Sequence, residues 1–191
     1  MALRPTVSGC RLDTMFQRLG SRDEAILAQL IDSFDEAVNL QAPSARAEAH
    51  EILRRAVFEG PRWPDLEVEG ELHVMAAIVL AKHDQTHLAT DSDFWKMPAV
   101  WDFVRDCHPR LSGDARKFVA MFGRGRALFG RKIDTSWSFY GFLTLKQVRT
   151  LRAGLLALHQ DGQIQGDFCD DLMRWLEAIE SQEMDLWFYC S

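Results

Sequence analysis

Residues 121–137, MFGRGRALFGRKIDTSW, hold the densest chemistry in the chain: glycines at 123, 125 and 130 stand among Arg124, Arg126, Arg131 and Lys132. Glycines let backbone amides close on an anion and cations neutralise it, so the stretch is a candidate phosphate site. Neither nucleotide fingerprint fits. G-x-x-x-x-G-K-[ST] is absent, and G-x-G-x-x-G fails because Arg126, Ala127, Leu128 and Phe129 separate Gly125 from Gly130. Both fingerprints also need a strand before the glycines, whereas a helical pattern precedes these. From Arg110 to Lys132 seven Lys and Arg face one acid, Asp114, a local excess of six positive charges in a chain of net charge −6. A nucleic-acid groove would add stacking aromatics and an overall basic balance, which the chain lacks. The expectation is a connector whose glycines take turns and whose arginines are solvated or paired internally. The alternative is a phosphate- or nucleotide-binding enzyme or an RNA-binding module, with Arg124, Arg126, Arg131 and Lys132 on the anion.

The remaining reactive residues assemble no site. His83 and His87 have i, i+4 spacing with Asp84, Asp91 and Asp93 near by, but there is no H-E-x-x-H, and a helix ending there splays the pair. Cys107 and His108 are adjacent, so on a helix they point about 100° apart and do not serve each other. No serine lies in G-x-S-x-G. Catalytic residues, a metal site and a cofactor are therefore not assigned. Four widely spaced cysteines without a C-x-x-C pair read as reduced, buried thiols.

Acidic surface is the other signal. Asp65, Glu67, Glu69 and Glu71 fall at every second position, and Asp167, Asp170, Asp171, Glu177, Glu180, Glu183 and Asp185 crowd the end of the chain against Arg174. Solubility accounts for each run by itself. As a function, they offer a complementary face to a basic protein, where charge speeds encounter and selects the partner. The expected partner-binding residues are Glu67, Glu69, Glu71, Asp170, Asp171 and Glu177, with Trp63 or Trp95 as an aromatic anchor.

Helices must position these groups. With 47% hydrophobic and 26% charged residues the chain is an ordinary globular mix. The longest apolar run, Val74 to Ala81, is far short of the roughly 20 residues that span a bilayer, and the start has no leader-like apolar segment, so a cytoplasmic protein with no membrane contact is expected. After Gly20, Ser21-Arg22-Asp23-Glu24 matches a capping box, and Ile26, Leu27, Leu30, Ile31, Phe34 and Val38 follow at helical spacing. Ala49, Ile52, Leu53, Ala56 and Val57 make the next apolar face, stopped at Gly60-Pro61. The helix from Glu71 to about Lys82 is apolar nearly all round and is expected at the centre of the molecule. Val100, Trp101, Phe103 and Val104 mark a shorter helix ended by Pro109, and Ser112 caps another. Thr144-Leu145-Lys146-Gln147 is a second capping box, opening a helix through Val148, Leu151, Leu155 and Leu158. A last helix turns Phe168, Leu172, Trp175, Leu176 and Ile179 inward. The prediction is a mainly α single domain over 1–191, with about six to eight helices. A minor β element is expected near 133–142 and 184–190, and a loose segment over 1–9.

The segments SWSFYGFLTLKQVRTL, LGSRDEAILAQL and WLEAIESQEMDLWFYC together resemble a bacterial family of small α-rich proteins. In that family an aromatic-Gly-aromatic-Leu-Ser/Thr step opens a late helix and the chain closes on a D-L-x-x-F-Y strand. Proteins of this kind are similar to the immunity proteins that bacteria encode beside antibacterial toxins. The resemblance implies an α-rich fold and a non-catalytic role, with a basic cognate toxin as partner.

Overall fold

The computed structural model describes residues 5–37, 40, 42–60, 70–82, 86–87, 97–128 and 139–190, in backbone only at 5, 71, 82, 86 and 87. Among the described residues the elements run β1 (Pro5–Cys10), α1 (Leu12–Arg18), α2 (Glu24–Ala37), α3 (Pro43–Glu59), α4 (Gly70–Lys82), β2 (Thr86–His87), α5 (Met97–Cys107), α6 (Gly113–Val119) and α7 (Met121–Arg124). They continue with β3 (Phe139–Leu143), α8 (Leu145–Gln160), α9 (Asp167–Ser181) and β4 (Asp185–Cys190). The fold is mainly α with a minor sheet. Among the described residues no helix is long and apolar enough to cross a membrane.

The sheet, small as it is, organises everything else. Its strands lie in the order β2-β1-β4-β3, all antiparallel, so the first and last described strands are neighbours. Successive side chains on a strand point to opposite faces. On one face Val7, Phe139, Leu143, Leu186, Phe188 and Cys190 join a core built from α5 to α9. On the other, Cys10, Tyr140, Phe142 and Trp187 join a core built from α1 to α4. Trp187 stacks on Tyr140 at 5.4 Å with an 11° interplanar angle, while on the opposite face Phe188 meets Phe122 edge-on at 5.0 Å. A strand covered on both faces has no polar side to show, which is why all five residues of β3 are buried.

Three expectations are corrected here. Of the segment 1–9 expected to be loose, residues 5–9 belong to β1, which sits inside the sheet between β2 and β4, and residues 1–4 lie outside the described residues. The helix of Leu72 to Leu80 is buried as expected, with Val74, Ala76, Ala77 and Val79 each at most 1% exposed. It is nevertheless the heart of one helical layer, because the sheet occupies the middle of the molecule. The capping residue of α2 is Asp23 rather than Ser21. Its Oδ1 accepts from the amides of Ala25 at 2.8 Å and Ile26 at 3.3 Å, and Arg22 takes a positive φ of 58° ahead of it. Here an aspartate, equally able to cap, sits two residues closer to the apolar run. The second capping box holds, with the Thr144 amide donating to Gln147 Oε1 at 3.1 Å.

Candidate functional site

Within the glycine-basic stretch, Gly125 and Arg126 are tied into the fold. Gly125 ends α7 at φ 68°, and a Cβ there would stand 2.7 Å from the Tyr140 carbonyl oxygen. The close approach lets the Arg126 amide donate to that carbonyl at 2.9 Å. Arg126 Nη1 donates to the Phe142 carbonyl at 2.9 Å and to Gln147 Oε1 at 2.7 Å, with the guanidinium 4.5 Å from the centre of the Phe142 ring. Arg126 thus ties α7 to β3 and to the cap of α8. Neighbouring cations are used similarly. Arg116 donates to the carbonyls of His108, Pro109 and Leu111 after α5, Arg110 donates to the Gln163 carbonyl, and Lys117 pairs with Asp114 at 2.8 Å. Arg124 is exposed. Arg131 and Lys132 lie outside the described residues.

The acidic run of α9 is engaged as well. Asp170 meets His159 of α8 at 3.2 Å, Asp171 is bonded to Arg174 with its side chain only 15% exposed, and Glu177 meets Arg152 at 3.1 Å. Glu180 takes Arg152 at 3.1 Å and Arg149 at 3.4 Å. Asp170 and Glu177 remain 58% and 67% exposed, so the acidic face is open to solvent but threaded by ion pairs, across to α8 for Asp170, Glu177 and Glu180 and within α9 for Asp171. Asp185 is not surface charge. Its carboxylate accepts from the Leu12 amide at 2.9 Å and the Leu145 amide at 2.7 Å, at the first residue of both α1 and α8. Trp63, Glu67, Glu69 and Trp95 lie outside the described residues, and Glu71 is placed in backbone only, in the first turn of α4. His83 lies outside them too. His87 is in β2 opposite Ser8, so the histidine pair shares no helix face.

What the sequence reading missed is a cleft of about 420 Å³ between α5, the α8–α9 connection and the head of α9. Exposed Asp102 and Asp106, one turn apart on α5, line it together with exposed Asp167 and Arg110, and Phe103 and Phe168 line it as an edge-on pair at 5.1 Å. Arg105 reaches both α5 carboxylates, at 2.7 Å from Asp102 and 3.2 Å from Asp106, with all three side chains at least 60% exposed. Cys107 and Cys169 line the interior. Burial pushes the Cys107 thiol up to about 12 and Cys169 up to about 11, so neither is a thiolate at neutral pH. On the same helix Trp101, placed by the sequence reading among the apolar residues of α5, is 46% exposed. Spacing alone allows this, because residues 100, 101, 103 and 104 span more than one face of a helix and the three others suffice to hold it. Comparison with known proteins returned no matching family model, no matching curated protein and no matching solved structure.

Proposed function

We propose that this chain is a non-catalytic binding protein that grips a basic protein in the bacterial cytoplasm, in the manner of an immunity protein neutralising a cognate toxin. The observation that carries the reading is the cleft beside α5, lined by Asp102, Asp106 and Asp167 and by the Phe103–Phe168 pair; its α5 carboxylates share Arg105 in exposed ion pairs that exchange partners at little cost, and its own cation, Arg110, is bonded to the Gln163 carbonyl. A lysine or arginine side chain of the partner finds there an apolar wall for its stem and acceptors for its head. Exposed Trp101 on the same helix supplies an aromatic anchor. The acidic overall balance adds steering toward a basic surface. The resemblance of the three quoted segments supports the toxin-neutralising form of this role.

Co-expression with the product of the adjacent gene, followed by binding kinetics on the purified pair, tests the proposal. Association is expected to slow with added salt. Asp102→Lys with Asp106→Lys is expected to reduce the on-rate about tenfold at low salt, and Trp101→Ala to raise the off-rate about tenfold or more. The proposal is overturned by the absence of both complex and protection, or by unchanged kinetics in both variants.

A further inference from the structure

Beneath the basic stretch, and separate from the acidic cleft, a cavity of about 220 Å³ is lined by Lys117, Phe118, Met121, Arg124, Arg126 and Leu143. Its chemistry is two-sided. Phe118, half-buried, presents the apolar side chain to the opening, with Met121 and Leu143 buried beneath it. Three cations surround that surface. Among the described residues Lys117 has Asp114, an exposed neighbour on its own helix, as its one counter-charge, and Arg124 makes no ion pair. Arg126 is half-buried and rigidly held: Nη1 is fixed by the Phe142 carbonyl and Gln147 Oε1, and the plane lies over the Phe142 ring. Its Nε and Nη2 donate to nothing among the described residues. Burial pushes the guanidinium pKa down, although an arginine remains charged at neutral pH. A half-buried cation with donors left unused gains most from an anion that brings its own apolar group.

The geometry points to a binding site for a small carboxylate that carries one compact apolar group, its carboxylate on Arg126 and Arg124 and its apolar group against Phe118. The size agrees, since an apolar cavity of about 150 Å³ already takes a benzene ring. Two sources share this chemistry: a free aryl or branched-alkyl acid, and the C-terminal carboxylate of a peptide ending in an apolar residue. Inorganic phosphate matches the cations but leaves the apolar walls against water.

Calorimetry with phenylacetate, N-acetyl-Gly-Phe, 2-phenylethylamine and inorganic phosphate tests the assignment, with amide chemical shifts of Gly125 and Arg126 locating the site. Saturable binding of phenylacetate is expected, at least about tenfold tighter than phosphate, with no saturable binding of the amine. Arg126→Met is expected to weaken phenylacetate at least about tenfold and Arg124→Ala with Lys117→Ala about threefold. Should Arg126→Met fail to fold, the double variant of exposed residues decides. Tighter binding of N-acetyl-Gly-Phe than of phenylacetate identifies a peptide end as the source, and the reverse order a free acid. Equal binding of the amine or of phosphate, unchanged affinity in the folded variants, or no saturable phenylacetate binding overturns the proposal.

Discussion

At the scale of single residues, Asp185 has the widest structural consequence. One carboxylate satisfies the first amide of α1, which belongs to one helical layer, and the first amide of α8, which belongs to the other. Both amides are orphans of helix N-termini, where negative charge is also favoured by the helix dipole. Asp185→Asn keeps the volume but removes the charge and turns an amide group toward one of the two donors. The expected loss is about 2–3 kcal/mol, read from urea unfolding with an unchanged slope. A loss below about 0.5 kcal/mol would contradict the double cap. Cysteines give a second test at this scale. Cys107 and Cys169 are each 1% exposed, and Cys190 is fully buried with its thiol pushed up to about 12 by burial. Iodoacetamide at pH 8 is expected to modify none of the three in the native protein while labelling all of them in urea, as read by mass spectrometry. Rapid native labelling of Cys107 or Cys169 would mean that the floor of the acidic cleft opens.

Elements meet through close approaches that small residues permit. A Cβ at Gly141 of β3 would fall 2.1 Å from Met121 Sδ, so α7 packs its methionine directly onto the strand backbone. Gly141→Ala is expected to cost about 1–3 kcal/mol by overpacking, and Met121→Ala in the same chain to recover part of it, giving a non-additive double-mutant cycle. Simple additivity would sink this account of the α7–β3 contact. In α3 the stabilising groups are ionic. Arg54 donates to both Glu51 oxygens at 2.7 Å and Arg55 adds a third bond at 2.8 Å. The hydrogen bonds from Arg54 are the largest cause that holds the Glu51 carboxyl down to about 2. In the unfolded chain Glu51 takes its proton near pH ~4.3, so below that pH the unfolded state binds the extra proton. The contribution of Glu51 is therefore complete above about pH 5 and lost as the pH falls toward 2. Because the pairs are half-exposed it amounts to about 1 kcal/mol or less. Glu51→Gln should flatten the acid limb of a stability–pH curve in that window and leave the shape above pH 6 unchanged.

For the whole molecule the deciding feature is a sheet with a hydrophobic layer on each face. Trp187 reports one face and Trp175 the other, and β4 belongs to both layers through alternate residues. Neither layer keeps a buried face once the sheet opens, so the layers are expected to unfold together. Val79→Asp, an unpaired charge at a site 1% exposed, is expected to remove several kcal/mol and lower the melting midpoint for both faces alike. Coincident far-ultraviolet and tryptophan transitions check this. A residual upper transition in the Val79→Asp protein would show that the α5 to α9 layer stands alone.

Local chemistry made the helices legible before any coordinates. Helical spacing from Ile52 to Val57 and from Val148 to Leu158, the Thr144–Gln147 capping box, and the aromatic strand at the end of the chain all act over a few residues, and each is found where spacing put it. Functional legibility was poorer. Arg126 and the acids of α9 looked unpaired because a sequence displays charge without its partners. Arg126 finds its acceptors 16 and 21 positions away, Asp185 its donors 173 and 40 positions away, and Asp170, Glu177 and Glu180 theirs on α8. The same distance effect hid the acidic cleft, whose walls come from α5 and the head of α9. It also hid the strand character of residues 5–10, because an inner strand is defined by neighbours on both sides rather than by its own pattern. By itself the sequence determined which segments are helical and which faces they bury, since backbone propensity, capping and periodicity are local. Only the tertiary structure decided which charges remain for a partner and which are consumed inside, because pairing energy depends on spatial neighbours brought together by packing on a shared sheet.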